Sequence, residues 1–330
     1  MEYSGQVPRR RLGERGPLVP VFGLGSWNTW DRMEREDAVA LIRYAVDRGV
    51  NLFDVAHYNF GPHAENAVTD IIFGEAVVEA GVARDDYLLC GKLWLWEYPK
   101  SSFAEQIDTS LSRIGTDRAD SVVVGDFFGD LDIRAVVTDV AELVRAGRFQ
   151  TWGVNNWSAD DLWFARDFAI AEGMEPPSFA QLKYSLARRS VPDGAPYGRL
   201  FTEGGLGLQA SDVFEGGILA GKLNPQRKIG ADPGGIRDRI RESYPEVQRV
   251  AESFGATPAQ LAIAFTLTHP AAANVLFGAS SKAQLDENLG ALELLERHGD
   301  ELRPAVEALW IDRGVVAPDA SWGTDAPAKG

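Results

Sequence analysis

The segment NLFDVAHYNFGP, residues 51–62, runs from an apolar stretch into a cluster of side chains that can transfer protons or form hydrogen bonds. It supplies the carboxyl of Asp54, the imidazole of His57, the phenol of Tyr58 and the amide of Asn59. Acid, imidazole and phenol groups are the usual partners in general acid–base catalysis. The segment therefore predicts a strand whose end carries catalytic chemistry.

A second apolar stretch, YLLCGK at residues 87–92, ends in Lys92. If the two stretches are neighbouring strands, Asp54 and Lys92 lie close together. Such a buried pair is suited to lowering the pKa of a nearby phenol, which could then donate a proton to a developing alkoxide. The alternative is that Asp54 and Lys92 form a structural ion pair.

Eight short apolar stretches alternate with segments of helical periodicity, and each stretch is nearly continuous in hydrophobicity. Strands of this kind are typical of a parallel sheet that is buried on both faces. Eight such units favour an α/β fold of the (β/α)8 TIM barrel type over an open doubly wound sheet. The predicted strands are residues 21–25, 51–55, 87–92, 120–126, 151–156, 179–184, 206–213 and 274–280. Helices are predicted at residues 36–48, 64–80, 103–114, 134–146 and 159–171.

A single barrel domain is expected over residues 1–318, and residues 319–330 are expected to form a disordered tail. Residues 9–21 resemble a hairpin that would plug the barrel floor. Residues 188–205 and the glycine-rich and proline-rich residues 223–235 predict longer loops, which in barrels carry binding sites at the C-terminal rim.

Composition excludes several classes of function. A net charge of −15 disfavours nucleic acid and anionic membranes as partners, because both would repel the protein. No apolar run reaches the 18–20 or so residues that span a bilayer, and the N-terminus lacks a signal-peptide pattern, so a cytoplasmic protein is expected. Cys90 is the single cysteine, which excludes an intrachain disulfide and a cysteine-based zinc cluster; with four scattered histidines, no metal site is expected.

Large aromatic side chains gather near the predicted strand ends. Barrel enzymes keep their chemistry at the C-terminal ends of the strands, so these side chains predict a wide apolar pocket for a bulky or cyclic substrate. Rim packing and a subunit contact are the alternatives. The aromatic residues are Trp27, Trp30, Trp94, Trp96, Phe127, Phe128 and Trp157.

Several motifs resemble those of the aldo-keto reductases, in particular the branch that includes the voltage-gated potassium channel beta subunits. The matching motifs are GLGSW, DRGVNLFDVA, CGKLW, GVNNW and the long segment at residues 257–295. The resemblance covers roughly residues 10–300. It implies a barrel that binds NADPH across its rim and passes hydride to a small-molecule carbonyl substrate. It also implies a homo-oligomer.

The resemblance also assigns cofactor-binding residues. Asn156 and Gln181 fall where the family holds the nicotinamide carboxamide, with Asn155 replacing a serine, and Lys222 falls on a phosphate-clamping lysine. Gly25, Ser26 and Trp27 belong to the opening motif, and four residues fall on the adenosine end: Ser280, Gln284, Glu287 and Asn288. Three basic residues would add charge to hold a 2′-phosphate, which favours NADP over NAD: Arg227, Lys228 and Lys282. The alternative interpretation of these three residues is a solvated basic loop.

The catalytic tetrad of the family is Asp, Tyr, Lys and His, and this chain departs from it twice. Asp54 and Lys92 stand on the expected strands, but Gly125 occupies the histidine position. Counting from either flank places Asn59 at the tyrosine position, so Tyr58 is one residue early and becomes a displaced candidate for the proton donor. Two further candidates are His57 and Asp126, although strand alternation predicts that Asp126 points away from the site.

The end of the seventh strand departs as well. Ser211 replaces the aromatic residue that would stack on the nicotinamide. Asp212 and Glu215 place acids near the expected pyrophosphate, which weakens binding unless they face outward or meet a cation.

The sequence therefore favours an NADPH-dependent reductase with an atypical proton donor. Its substrate would be a bulky or cyclic ketone, such as a polyketide or keto-sugar intermediate of natural-product biosynthesis. Two alternatives remain open: a nucleotide-binding lyase, isomerase or dehydratase, and a non-catalytic protein that senses the nucleotide state for a partner.

Overall fold

The computed structural model describes residues 5–59, 67–127, 129–225 and 229–319. Eight parallel strands close into a barrel in the order β10-β3-β4-β5-β6-β7-β8-β9, which confirms the predicted TIM barrel. All eight predicted strands are present. They are β3 (Phe22–Gly25), β4 (Leu52–Asp54), β5 (Leu88–Leu93), β6 (Ser121–Val124), β7 (Thr151–Asn155), β8 (Phe179–Lys183), β9 (Gly207–Ser211) and β10 (Ala272–Phe277).

Helices follow the strands and cover the outside of the barrel. The five predicted helices match the first five observed, and residues 64–66 of the predicted second helix lie outside the described part of the chain. The helices are α1 (Arg35–Asp47), α2 (Thr69–Glu79), α3 (Phe103–Ile114), α4 (Ile133–Arg145), α5 (Ala159–Ala171), α6 (Ala195–Thr202), α7 (Arg237–Glu242), α8 (Tyr244–Ser253), α9 (Pro258–Leu267) and α10 (Lys282–Ala305).

Local sequence signals explain where these helices begin and end. Helix α3 opens with a capping box, in which Ser102 and Glu105 each accept a hydrogen bond from the other's backbone N–H. It ends at Gly115, whose φ of 80° lies in the left-handed region that glycine adopts without strain. The chain thus turns sharply into β6, which delivers Gly125 and Asp126 to the rim.

The N-terminal hairpin closes the bottom of the barrel. Strands β1 (Arg9–Arg11) and β2 (Leu18–Pro20) pair antiparallel, and Leu12 and Val19 are buried in a cluster with inward-facing barrel residues. Gly13 is required at this contact, because a Cβ there would lie 1.9 Å from the carbonyl oxygen of Ser178. The hairpin therefore seals the end of the barrel opposite to the strand C-termini.

The chain after α10 returns to brace the loop that follows β8. Ile311 and Asp312 donate backbone hydrogen bonds to the carbonyl of Ala187. The Asp312 carboxylate in turn accepts from the backbone N–H groups of Arg189 and Ser190. The C-terminal segment thus fixes the position of residues near the barrel mouth. Of the predicted tail, residues 320–330 lie outside the described residues.

Among the described helices, we find none that combines the length and the apolar character needed to cross a membrane.

Candidate active site

A cavity of about 530 Å³ opens at the C-terminal ends of the strands, where the barrel rule places catalytic chemistry. Its walls carry both acid–base groups and residues assigned to cofactor binding. Those that matter for the argument are Asp54, Tyr58, Lys92, Asp126, Asn155, Asn156, Gln181, Lys183, Ser211, Asp212, Lys222, Ser280 and Gln284, together with Gly25, Trp27, Trp94 and Trp96.

Asp54 and Lys92 are coupled through an amide rather than paired directly. The Gln181 side chain donates from Nε2 to Asp54 Oδ2 at 2.8 Å and accepts at Oε1 from Lys92 Nζ at 3.2 Å. Within the described part of the chain, Asp54 and Lys92 do not form a direct ion pair. The alternative of a structural ion pair is therefore not what the structure shows. Burial raises the pKa of Asp54, while the Lys92 charge and the Gln181 hydrogen bond oppose that rise.

Tyr58 faces the cavity in spite of its shifted position in the sequence. Only 6% of its surface is exposed, and its ring packs against Trp94 and Trp27, with ring centroids 5.8 Å and 6.5 Å away. Its hydroxyl lies 3.5 Å from the Ser26 hydroxyl. The phenol is thereby held at the same cavity as Lys92.

The pKa of Tyr58 moves in the opposite direction to the one expected from the sequence. Burial raises it well above the ordinary phenol value, and the nearby Asp54 carboxylate raises it further. The expected lowering fails because burial dominates, and the hydrogen bond of the Lys92 ammonium goes to Gln181. The phenol therefore stays protonated at neutral pH and is available as a donor.

The side chains beside Tyr58 point elsewhere. Asn59 accepts from the Ala67 backbone N–H at 2.7 Å and donates to its carbonyl oxygen, so it closes a loop and does not line the cavity. His57 places its ring near Asp70, with Nδ1 3.5 Å from Oδ2, and its carbonyl oxygen accepts from the Trp94 indole. The ungapped count that assigned Asn59 to the tyrosine position is thus corrected by the loop geometry.

Gly125 stands where the family histidine was expected, and the surrounding atoms leave little room for a side chain. A Cβ on Gly125 would lie 3.2 Å from the Leu93 carbonyl oxygen and 3.3 Å from the Trp94 ring. Asp126, the next residue, lines the cavity instead. Strand alternation failed here because β6 ends at Val124, two residues before Asp126. The sequence named Asp126 as a candidate, and only the predicted direction of its side chain is wrong.

The two acids at the end of β9 each meet a cation. Asp212 is paired with Lys183, and Glu215 accepts from Arg188 at 2.9 Å and from the Ser185 hydroxyl at 2.8 Å. Burial is the largest influence and opposes ionisation of Asp212. The charge and hydrogen bond of Lys183, the Gly216 N–H and the Arg188 charge together outweigh it and lower the Asp212 pKa. The repulsion expected from these acids is therefore cancelled within the cavity wall.

Comparison with known proteins identifies the family. The model described as the Aldo/keto reductase family matches residues 21–303, which is most of the chain. The protein is an aldo/keto reductase. It is 26% identical over 332 aligned residues to a protein of Schizosaccharomyces pombe whose name provisionally calls it a voltage-gated potassium channel subunit beta. That alignment covers 92% of this chain and 93% of the yeast protein. The expected family is confirmed.

Most residues that the resemblance assigned to the cofactor line the aldo/keto reductase cavity. Ser280 and Gln284 stand at the N-terminus of α10, where the helix dipole favours anions. The same cavity is lined by Asn156, Gln181 and Lys222, and Lys222 adds positive charge. This donor set fits an anionic dinucleotide.

Some assigned residues have different positions. Ser26 is buried and does not line the cavity, and its hydroxyl is near that of Tyr58. Glu287 and Asn288 lie on the next turns of α10 and do not line the cavity; Lys282 lies over the Tyr44 ring. Arg227 and Lys228 fall outside the described residues.

The aromatic residues of the aldo/keto reductase divide into two groups. Trp27, Trp94 and Trp96 line the cavity, and Trp94 and Trp96 are stacked with centroids 4.7 Å apart. Trp30 and Trp157 are fully buried and serve packing. Phe127 packs edge-on against Trp157, and Phe128 lies outside the described residues.

Proposed function

We propose that the protein is an NADPH-dependent reductase of ketones or related carbonyl compounds. The observation that carries this proposal is the convergence of Tyr58, Lys92 and the Gln181-linked Asp54 in one cavity, beside residues suited to a dinucleotide. NADPH, when bound, supplies the hydride. The chain itself supplies the binding groups, the proton and the substrate pocket.

Binding of the dinucleotide rests on charges placed along the cavity. The protein carries a net charge of −15, so its overall field repels an anionic ligand. Lys222, the helix α10 N-terminus and the pairing of Asp212 with Lys183 counter this repulsion locally. A preference for NADP over NAD is part of the same proposal.

The proton is proposed to come from Tyr58. A developing alkoxide is a much stronger base than a phenolate, so transfer is favourable even though burial raises the Tyr58 pKa. The Ser26 hydroxyl, 3.5 Å from the phenol oxygen, offers a partner for the phenolate that results. Lys92 provides the nearby positive charge that favours a negative oxygen.

The substrate pocket is formed by the indoles of Trp27, Trp94 and Trp96. Such a wall stacks flat or cyclic apolar surfaces and leaves the carbonyl to reach Tyr58. We therefore propose a bulky or cyclic ketone, of the kind found among polyketide and keto-sugar intermediates, as the substrate class.

The test uses purified protein titrated with NADPH and NADH by tryptophan fluorescence, followed by turnover with a panel of ketones. Tyr58→Phe is expected to bind NADPH normally and to reduce turnover by about 10²–10⁴-fold, the usual loss for a general acid. Tyr98→Phe is the matched control, because the Tyr98 hydroxyl bonds to Asp139 and the residue does not line the cavity.

The outcomes separate the candidate functions. Turnover that survives in Tyr58→Phe at the wild-type rate would remove Tyr58 as the donor. Tight NADPH binding without turnover of any ketone would favour a second function, a nucleotide-sensing subunit, which the name of the yeast relative and the missing histidine both support.

A further inference from the structure

Asp126 is an acid at the cavity that neither the family assignment nor the proposed proton path uses. It follows Gly125, the residue at the histidine position, and lines the same cavity as Tyr58 and Lys92. The backbone turn that leads from β6 to Asp126 is held at Gly125. The Gly125 N–H donates to the Leu93 carbonyl at 2.7 Å, and the Gly125 carbonyl accepts from the Trp157 indole at 2.8 Å. These two bonds fix the turn that directs Asp126.

The space taken by the neighbours explains why the side chain comes from residue 126. The Trp94 ring and the Leu93 carbonyl lie within 3.3 Å of a Cβ built on Gly125, so a side chain there would require Trp94 to move. Trp94 in turn is held by its indole bond to the His57 carbonyl at 2.9 Å and by packing on Tyr58. The Trp94 indole thus lies against the histidine position, and the next residue brings a carboxyl to the cavity.

The charges around Asp126 determine its protonation. Burial raises the pKa of the Asp126 carboxyl, and the Lys92 ammonium is the main charge that opposes the rise. Lys92 donates to the Gln181 carbonyl oxygen and lies 5.3 Å from the centroid of a Trp94 ring. Among the described residues it forms no ion pair with Asp126. The other titratable groups at this cavity are Arg32, Asp54, Tyr58, Lys183, Asp212 and Lys222.

We propose that Asp126, in its protonated form, donates a hydrogen bond to the substrate carbonyl oxygen and so takes over the role of the missing imidazole. This inference rests on the proposed reductase function. The reaction stays balanced, because hydride and the Tyr58 proton convert the ketone to the alcohol while Asp126 keeps its own proton. Tyr58 recovers a proton from solvent.

The protonated form sets the sign of the pH dependence. The donor is present below the Asp126 pKa and is lost as the pH rises through it. The kcat of wild type should therefore fall as the pH rises through the Asp126 pKa. Asp126→Asn keeps an N–H donor that does not titrate, so its rate should be flat over the same pH range. Asp126→Ala removes the donor and should lower kcat by about 10²-fold, as loss of one oxyanion donor does.

The experiment measures kcat against pH for wild type, Asp126→Asn and Asp126→Ala with saturating NADPH and one accepted ketone. Asp130→Asn is the matched control, since Asp130 is an exposed acid in the same loop and undergoes the same substitution away from the cavity. Fluorescence titration with NADPH verifies that each variant still binds the cofactor. Infrared spectra of the NADPH complexes add a readout without turnover: the C=O stretch of a protonated carboxyl should be present in wild type and absent in Asp126→Asn.

Two results would overturn the inference. If kcat falls with rising pH in the same way in wild type and in Asp126→Asn, Asp126 does not titrate in the reaction. If the infrared band of a protonated carboxyl is missing from wild type, Asp126 is ionised. If wild type binds NADPH but reduces no ketone, the proposed reductase function is wrong. If wild type reduces a ketone but its pH profile matches that of Asp126→Asn, only the role given to Asp126 is wrong.

Discussion

Asn59 shows how one side chain decides what its neighbour can do. Its amide accepts from the Ala67 N–H and donates to the Ala67 carbonyl, which pins the segment between β4 and the chain that leads to α2. With Asn59 used in this way, Tyr58 turns its ring to the cavity between Trp27 and Trp94. The displaced tyrosine therefore reaches the site because a residue outside the site holds the loop.

We expect Asn59→Ala to lower kcat while leaving NADPH affinity near wild type, because Tyr58 loses its fixed position but the cofactor side is untouched. Loss of the hydrogen bonds should also reduce the free energy of unfolding by about 1–2 kcal/mol. Asn51→Ala is the control: Asn51 donates to the Asp86 carbonyl at 2.8 Å at the opposite end of the barrel. It should lose similar stability with full activity. Equal kcat in the two variants would contradict the role given to Asn59.

At the scale of elements, the ends of β8 and β9 form one functional wall. Lys183 is the last residue of β8, Asp212 follows β9, and the two side chains pair between these adjacent strand ends. Asp212 also accepts from the Gly216 backbone N–H at 2.9 Å. The pair keeps an acid in the cofactor wall without leaving its charge exposed to an incoming phosphate.

Lys183→Met is expected to weaken NADPH binding about 10-fold or more, because Asp212 then faces the dinucleotide as an uncompensated buried charge. Adding Asp212→Asn should recover part of the affinity, and the two changes should therefore be non-additive in a double-mutant cycle followed by fluorescence titration. Additive effects would mean that the two side chains act independently.

The same pair makes a prediction for pH. The pKa of Asp212 is lower in the folded protein than the ordinary value of 3.8, so its contribution to stability is present above that value and is lost as the pH falls through the folded pKa. Unfolding measured between neutral pH and strong acid should show this loss in wild type. Asp212→Asn should lack that share of the acid sensitivity, and an identical acid profile would contradict the assignment.

At the scale of the whole molecule, residues distant in sequence complete the barrel mouth. The segment after α10 packs against the loop that follows β8, and Asp312 joins the two. Homo-oligomerisation, the division at residue 318 and a cytoplasmic location stay predictions.

Asp312→Ala should lower the free energy of unfolding by about 2–4 kcal/mol, since the buried backbone donors of Arg189 and Ser190 lose their acceptor. The affinity for NADPH should fall with it, because the loop after β8 carries Arg188, the partner of Glu215. Thermal unfolding with and without NADPH measures both effects. Asp300→Ala, an exposed acid on α10, is the control and should be neutral.

The sequence by itself determined the barrel, because continuous apolar stretches and helical periodicity are local properties that do not depend on the conformation of the loops. It also determined that Asp54 and Lys92 stand at strand ends, since strand register follows from the same pattern. The tertiary structure decided the rest of the site. Which of Tyr58 and Asn59 faces the cavity depends on Ala67. Asp126 turns inward because β6 ends two residues before it. Gln181 stands between Asp54 and Lys92 because the end of β8 faces the ends of β4 and β5 across the barrel. Side chains beyond the last ladder hydrogen bond take their direction from contacts between distant parts of the chain, and no local pattern encodes those contacts.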